Sequence, residues 1–231
     1  MKAPPTAHRP DADSYFSEKK ELFAGRHPTM TSDGLEMVFL GTGDRGESLY
    51  VAKRENAQQS FKRAIAISEL ADQPQPKNPS LTPNGLTLYF NRSGNEIVAC
   101  VRETKDVPWS KPKPVSVQGK VSGFLDWPYV SDDGLTMYCC NEGAGHLGRG
   151  AGNLMAWSRP SVTEPFVASK TIEATGLPTL IGRSPRYVVA THELFFTRAT
   201  VENGKPHWSG IWVIRNFVPP IDVKSSRVSE Q

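Results

Sequence analysis

The sequence predicts an all-β fold, a β-propeller of four four-stranded antiparallel blades. Three observations support this prediction. Glycine and proline each occur 19 times in 231 residues, which is too often for a helical bundle and suits short strands joined by many turns. A proline-to-glycine signature recurs about every fifty residues, the period of a four-stranded propeller blade. Between the turns, apolar residues alternate with polar ones, as in strands that bury one face.

The repeated unit begins with a proline that is followed six residues later by a turn. These prolines are 51, 49 and 57 residues apart, and they are Pro28, Pro79, Pro128 and Pro185. The first three turns contain an Asp-Gly or Asn-Gly pair, which supplies the positive φ of a tight hairpin. Their glycines are Gly34, Gly85 and Gly134. The fourth copy keeps the spacing but has Ala190 and Thr191 at the turn. We predict the first strand of each blade between the proline and the turn.

Two further strands follow each turn. The second strand is predicted at residues 35–39, 86–90, 135–139 and 192–196. It alternates polar and apolar residues and ends in an apolar pair, as expected between neighbouring sheets. After a polar, glycine-rich loop, the third strand is predicted at residues 49–52, 97–100, 154–157 and 211–214.

An arginine and an aromatic residue follow the third strand at a constant spacing in the first three units. The arginines are Arg54, Arg102 and Arg159, and the aromatic residues, seven positions later, are Phe61, Trp109 and Phe166. The periodic arginines predict one structural role per blade, hydrogen bonding to a neighbouring loop, rather than a cationic binding ring. We expect each aromatic residue to open the fourth strand.

The fourth unit lacks such an aromatic residue, and its polar tail is short. Residues 14–18 would supply the missing strand by pairing with residues 211–214, which closes the ring and removes exposed edges. The predicted domain is therefore residues 14–217, flanked by a flexible tail at 1–13 and a C-terminal tail at 218–231. Its repeats are expected near residues 27–77, 78–126, 127–183 and 184–217.

The whole pattern resembles a known repeat family. The motif x-Pro-x-(Leu/Met)-(Ser/Thr)-x-(Asp/Asn)-Gly-Leu-x-(Leu/Met)-Tyr-Phe, then Leu/Ile-x-Val-Ala-x-Arg and (Phe/Trp)-x-x-Pro, is similar to the WD40-like propeller repeat of the TolB type, PD40. Residues 78–90 with 97–112, and 127–138 with 154–166, carry it best. The resemblance implies a binding or interaction platform, in many members located in or beyond the cell envelope. The turn at residues 190–191 and the small number of blades depart from the family.

Composition and charge exclude several classes of protein. A net charge of +3 without a long basic run gives no footprint for nucleic acid, and no apolar run approaches the length of a membrane span. Three cysteines, with Cys139 and Cys140 adjacent, do not form a disulfide framework and are expected inside strands. The N-terminus has no secretory signal, so the default location is cytoplasmic, or extracytoplasmic if the chain is part of a longer protein.

The residues just before each first strand are expected to surround the mouth of the propeller channel, on the face with the long loops. The candidate ligand-binding residues there are Arg26, His27, Lys77, Asn78, Asp126, Trp127, Arg183 and Ser184. Three basic side chains against one acid predict a mildly positive funnel for a small anionic or sugar-like ligand or an acidic peptide, with Trp127 as a stacking surface. The alternative is that these polar residues cap strand ends and bind water.

A glycine-rich loop at residues 143–148 has the letters of a dinucleotide fingerprint but leads into a strand rather than a helix. Binding of a pyrophosphate needs the N-terminus of a helix after the loop. We therefore predict a flexible loop, with His146 and Arg149 as candidate ligand contacts over the channel mouth.

The leading hypothesis is a non-catalytic binding module that offers this face to a protein or a small polar ligand, without metal or cofactor. The five histidines are scattered and show no metal-ligand spacing. The alternative is a carbohydrate-active or lactonase-like hydrolase at the channel mouth. It would need two carboxylates, such as Asp126 and Glu142, or a metal cluster within about 10 Å.

Overall fold

Antiparallel strands follow one another along the chain in the computed structural model, which describes residues 23–43, 46–93, 96–118, 123–142, 152–172, 181–202 and 205–219. The first unit comprises β1 (Gly25–Met30), β2 (Glu36–Gly43), β3 (Gly46–Lys53) and β4 (Ile65–Ala66). The second comprises β5 (Lys77–Leu81), β6 (Thr87–Arg92), β7 (Glu96–Val101) and β8 (Lys113–Pro114). Within each unit every strand pairs with the next in the chain.

The third unit has the same order, with β9 (Phe124–Val130), β10 (Thr136–Glu142), β11 (Gly152–Ser158) and β12 (Ala168–Thr171). The fourth comprises β13 (Ile181–Val188), β14 (Glu193–Glu202) and β15 (Lys205–Ile214). The start of β13 also pairs with Gly152 and Asn153 of β11, so the last two units form one hydrogen-bonded sheet rather than two separate ones. The predicted closing strand at residues 14–18 lies outside the described residues, and the number of blades stays a prediction.

The turn between the first two strands has the same construction in three units. Gly34, Gly85 and Gly134 have φ of +69°, +73° and +72°. The aspartate or asparagine before each glycine acts through its side chain: Asp33 Oδ1 accepts hydrogen bonds from Leu35 N at 3.0 Å and Thr31 Oγ1 at 2.6 Å. The prediction that the Asp-Gly or Asn-Gly pair supplies a positive φ is thus confirmed, and the glycine is the residue that adopts it. In the fourth unit a 3₁₀ turn (Val189–Thr191) is followed by His192 in the left-handed region.

The periodic arginines form what we call arginine clamps. The Nε atoms of Arg54, Arg102 and Arg159 donate to the carbonyl oxygens of Gly34, Gly85 and Gly134 at 2.7, 2.8 and 2.7 Å. Their guanidinium carbons lie 4.6, 4.1 and 4.5 Å from the ring centres of Phe61, Trp109 and Phe166. The predicted structural role of these arginines is confirmed.

The prediction that the aromatic residues open the fourth strands is wrong. The strands begin later, at Ile65, Lys113 and Ala168. The physical reason is that each ring packs against its guanidinium, and only the next residue hydrogen-bonds back to the third strand, as Lys62 N does to Lys53 O at 2.8 Å.

Apolar side chains fill the spaces between successive units. Leu40, Leu49 and Phe90 belong to the cluster between the first and second units. Tyr138, Leu154 and Phe196 belong to the cluster between the third and fourth. The adjacent Cys139 and Cys140 are free, buried thiols that point into different clusters, as the strand prediction requires. The units therefore pack face to face.

The first strands of the units lie next to one another. β1 contacts β5, β5 contacts β9 and β9 contacts β13. Arg186 on β13 donates to Thr29 Oγ1 on β1 at 2.9 Å, which connects the last unit with the first. No helix within the described ranges is long and apolar enough to cross a membrane.

Candidate functional site

The residue before each repeat proline has an unusual backbone conformation. The φ angles of His27, Asn78, Trp127 and Ser184 are 55°, 52°, 57° and 54°. Each lies where the pairing of the first strand with the second shifts register. Left-handed φ is uncommon for residues other than glycine, and residues before proline normally prefer extended backbone. Such strain persists where the surrounding structure enforces it, often at functional sites.

These four positions line one cavity of about 220 Å³. The four prolines that follow them, together with Tyr129 and Arg186, complete its wall. The rings of His27 and Trp127 meet edge to face, with centres 4.6 Å apart. The structure thus brings His27, Asn78 and Trp127 together with Ser184, from all four units, at what we call the mouth cavity.

Asp126 supports this cavity from behind. Its side chain is buried, and Oδ1 accepts hydrogen bonds from Asn78 Nδ2 at 2.6 Å and from Trp127 N at 3.0 Å. Lys77 Nζ lies 3.4 Å from Oδ2. The carboxylate therefore orients two mouth residues and balances the charge of Lys77.

The positive charge at the mouth does not come from the three basic residues that the sequence singled out. Arg26 forms an ion pair with Glu47 at 2.5 Å, and Lys77 faces Asp126. The guanidinium of Arg183 lies 5.3 Å from the ring centre of Trp127. None of the three basic residues lines the mouth cavity, and the side chain of each contacts Glu47, Asp126 or Trp127 instead.

Among the described residues, Arg186 is the Lys or Arg side chain that lines the cavity, and the sequence did not single it out. Its guanidinium donates to Thr29 Oγ1 and lies 5.0 Å from the ring centre of Tyr129. Burial lowers the pKa of Arg186. An alignment of the four repeats could have indicated Arg186. The residue after the repeat proline is uncharged in the other three units, where it is Thr29, Ser80 or Tyr129.

His27 is held neutral in this setting. Burial, followed by the charges of Arg26 and Arg183, lowers the pKa of its imidazole. Its Nδ1 atom is buried and has no hydrogen-bond partner among the described residues. A neutral imidazole therefore faces the mouth cavity at neutral pH.

Two predicted mouth residues, His146 and Arg149, lie outside the described residues, as does the side chain of Glu142. Asp126 is the predicted mouth carboxylate that the structure does describe. Within the described ranges, no group of three His, Cys, Asp or Glu side chains is placed to hold a metal ion.

Antiparallel sheets that pack face to face, with their first strands around a common cavity, are the arrangement of a β-propeller. No protein-family model and no curated protein sequence matches the chain. Solved structures do. A gluconolactonase from Xanthomonas campestris is 13% identical with a TM-score of 0.54, over 89% of this chain and 63% of that chain.

Two further solved structures are similar to parts of this chain. Regucalcin, a calcium-binding protein from Agrobacterium tumefaciens, is 15% identical with a TM-score of 0.50, over 84% of this chain and 63% of that chain. TolB from Acinetobacter baumannii is 13% identical with a TM-score of 0.39, over 83% and 51%. The chain is a β-propeller protein that spans less than two thirds of the length of these structures. Identities this low show the fold alone.

Proposed function

We propose that the chain is a non-catalytic binding module built from TolB-type repeats, which holds a small polar ligand at the mouth cavity. The observation that carries the proposal is the convergence of four strained backbone positions, His27, Asn78, Trp127 and Ser184, on one cavity. Strain of this kind is maintained by the surrounding structure and concentrates at ligand sites.

The chemistry of the cavity suits a ligand with a flat or sugar-like face. The indole of Trp127 offers an aromatic surface, and the neutral imidazole of His27 stands beside it at 4.6 Å. Asp126 fixes the amide of Asn78 at 2.6 Å. A few fixed polar groups beside an aromatic surface are typical of small-molecule sites.

The hydrolase alternative has less support from the described residues. Asp126 is buried, and its oxygens already face Asn78, Trp127 and Lys77, so it is not placed as a nucleophile. No carboxylate lines the described wall of the mouth cavity, whereas a hydrolase of this kind needs a pair. The likeness to a gluconolactonase does not separate the two functions, because it shows the fold alone.

The test is a titration of ¹⁵N-labelled protein with glucose, gluconate, inorganic phosphate and a short poly-glutamate peptide, each at millimolar concentration. We expect at least one probe to shift the indole signal of Trp127 saturably. The shift should be retained in Trp212→Ala, the matched change on β15 outside the mouth cavity. In Trp127→Ala, which has no indole at this position, the shifts that the ligand causes in the backbone amide signals should disappear.

Two results would overturn the proposal. One is the absence of a saturable Trp127 shift with every probe. The other is hydrolysis of gluconolactone by the wild-type protein that is abolished in Asp126→Asn, which would favour the lactonase alternative.

A further inference from the structure

Arg186 lies between two cavities. The mouth cavity is on one side, and a second cavity of about 440 Å³, here the lower cavity, is on the other. Both are lined by Pro28, Tyr129 and Arg186. The volume of the lower cavity is within the usual range for small-molecule sites, roughly 300 to 1,000 Å³.

The guanidinium of Arg186 has few partners for its five donors. One nitrogen donates to Thr29 Oγ1 at 2.9 Å, and the ring of Tyr129 lies 5.0 Å away. No carboxylate among the described residues pairs with it. Cations removed from water are normally paired with an anion. The remaining N–H groups of Arg186 could therefore bind an anionic group of a ligand.

The lower cavity is suited to an apolar body. Its wall includes the side chains of Met30, Met37, Leu81, Tyr187 and Val188. Met30 and Val188 are 46% and 39% exposed, so the cavity is open to solvent and a ligand can enter from that side. Thr29 and Ser32 add hydroxyl groups to this wall. A bare inorganic anion would leave the apolar part of the wall without contacts.

We infer that the channel binds a small monocarboxylate with an apolar body, whose carboxylate lies on Arg186 and whose body fills the lower cavity. The inference goes beyond the proposed function of the mouth cavity: it concerns the lower cavity and names both the class of its ligand and the residue that recognises it. Arginine suits this role because its planar fork binds both carboxylate oxygens at once. The hydrogen bond to Thr29 and the ring of Tyr129 hold the guanidinium in place.

The test compares 4-phenylbutyrate with 4-phenyl-1-butanol by isothermal titration calorimetry. The two probes share the apolar body, and only the first has a carboxylate. We expect 4-phenylbutyrate to bind the wild-type protein at least roughly tenfold more tightly than the alcohol, since charge-assisted hydrogen bonds discriminate by about that factor or more.

Variants then locate the carboxylate. Arg186→Met should lower the affinity for 4-phenylbutyrate roughly tenfold or more, and Arg186→Lys should recover part of it, because lysine keeps the charge but not the fork. Arg63→Met removes the same charge from an exposed position outside the channel and should bind like the wild type. Thermal unfolding of Arg186→Met shows whether the variant is folded, because the substitution also removes the hydrogen bond to Thr29 that connects the last unit with the first.

The outcomes separate this inference from the proposed function. Binding of 4-phenylbutyrate that depends on Arg186, without any response of Trp127 to the mouth probes, supports the inference and overturns the mouth proposal. A response of Trp127 without binding of 4-phenylbutyrate does the reverse. Equal affinity for the acid and the alcohol, or for wild type and a folded Arg186→Met, would also overturn the inference.

Discussion

Arg102 donates a hydrogen bond to Glu36 Oε1 at 2.6 Å and so joins the second unit to the first. The two side chains are 3% and 2% exposed. The same guanidinium belongs to an arginine clamp, since it also binds Gly85 O and packs on Trp109. A single residue thus fixes a turn within its own unit and an ion pair to the neighbouring unit.

Removal of the carboxylate in Glu36→Ala should destabilise the protein by about 3 to 5 kcal/mol, because it leaves the buried guanidinium without its counter-charge. The free energy of unfolding in urea measures this change. Lys53→Met is the matched control: Lys53 lies 3.4 Å from Glu36 Oε2 but is 47% exposed, so its loss should cost about 1 kcal/mol or less. Equal losses of unfolding free energy in the two variants would show that the buried Glu36–Arg102 pair contributes no more to stability than the exposed Lys53–Glu36 pair.

Gly85→Ala should be more destabilising than Gly46→Ala. Both glycines have positive φ, and an alanine there costs about 1 to 2 kcal/mol. A Cβ at Gly85 would lie 2.8 Å from Thr31 Cγ2, whereas a Cβ at Gly46 meets nothing within 4 Å. Urea unfolding of the two variants gives the difference. If Gly46→Ala were the more damaging, the close approach of the two turns would not matter.

Stability should fall as the pH is lowered below 6.5, partly because of His27. Its pKa is lowered in the folded protein, so between pH 6.5 and the folded-state pKa the unfolded chain binds more protons than the native one. The contribution is about 1.4 kcal/mol for each pH unit by which the pKa is lowered.

Unfolding free energies of the wild type and of His27→Gln at pH 7 and 5.5 test this prediction. The variant should lose less stability over that interval. The charged groups near the imidazole are Arg26, Arg183, Asp126 and Glu47, and they remain in the variant. Parallel pH profiles of the two proteins would contradict the role of His27.

We propose that residues 14–18 close the propeller by pairing with β15. Among the described strands, β15 pairs only with β14 and lies at the end of its sheet, and Ile211 and Trp212 on it are 81% and 40% exposed. Deletion of residues 1–13 should leave stability unchanged, whereas deletion of residues 1–18 should lower it and promote self-association through the open edge. Urea unfolding and light scattering distinguish the two truncations, and identical behaviour would reject the closing strand.

The repeated parts of the fold were predictable because a period repeats the same physics. The hairpin turns at Gly34, Gly85 and Gly134 and the structural role of the arginines followed from spacing alone, since each copy checks the others. The first residue of each fourth strand could not be predicted in this way. An aromatic residue is equally suited to begin a strand and to pack on an arginine, and the sequence does not distinguish between the two roles.

The parts of the site that break the period were less predictable. A repeat pattern predicts the features that the units share, and Arg186 is not one of them: the equivalent positions in other units hold Thr29 and Tyr129. The pairing of Arg26 with Glu47 depends on the approach of separate strands. The left-handed backbone at His27 opposes the local preference of a residue before proline and coincides with the register shift in β1, which depends on how two strands pair.

That backbone conformation has a consequence for engineering. A histidine, an asparagine, a tryptophan and a serine adopt φ angles within five degrees of one another at His27, Asn78, Trp127 and Ser184, so the main chain does not depend on which side chain it carries. Side chains at these four positions can therefore be exchanged without a change in backbone conformation. New recognition chemistry can be installed there one side chain at a time, and glycine at Ser184 would relieve strain at the same time.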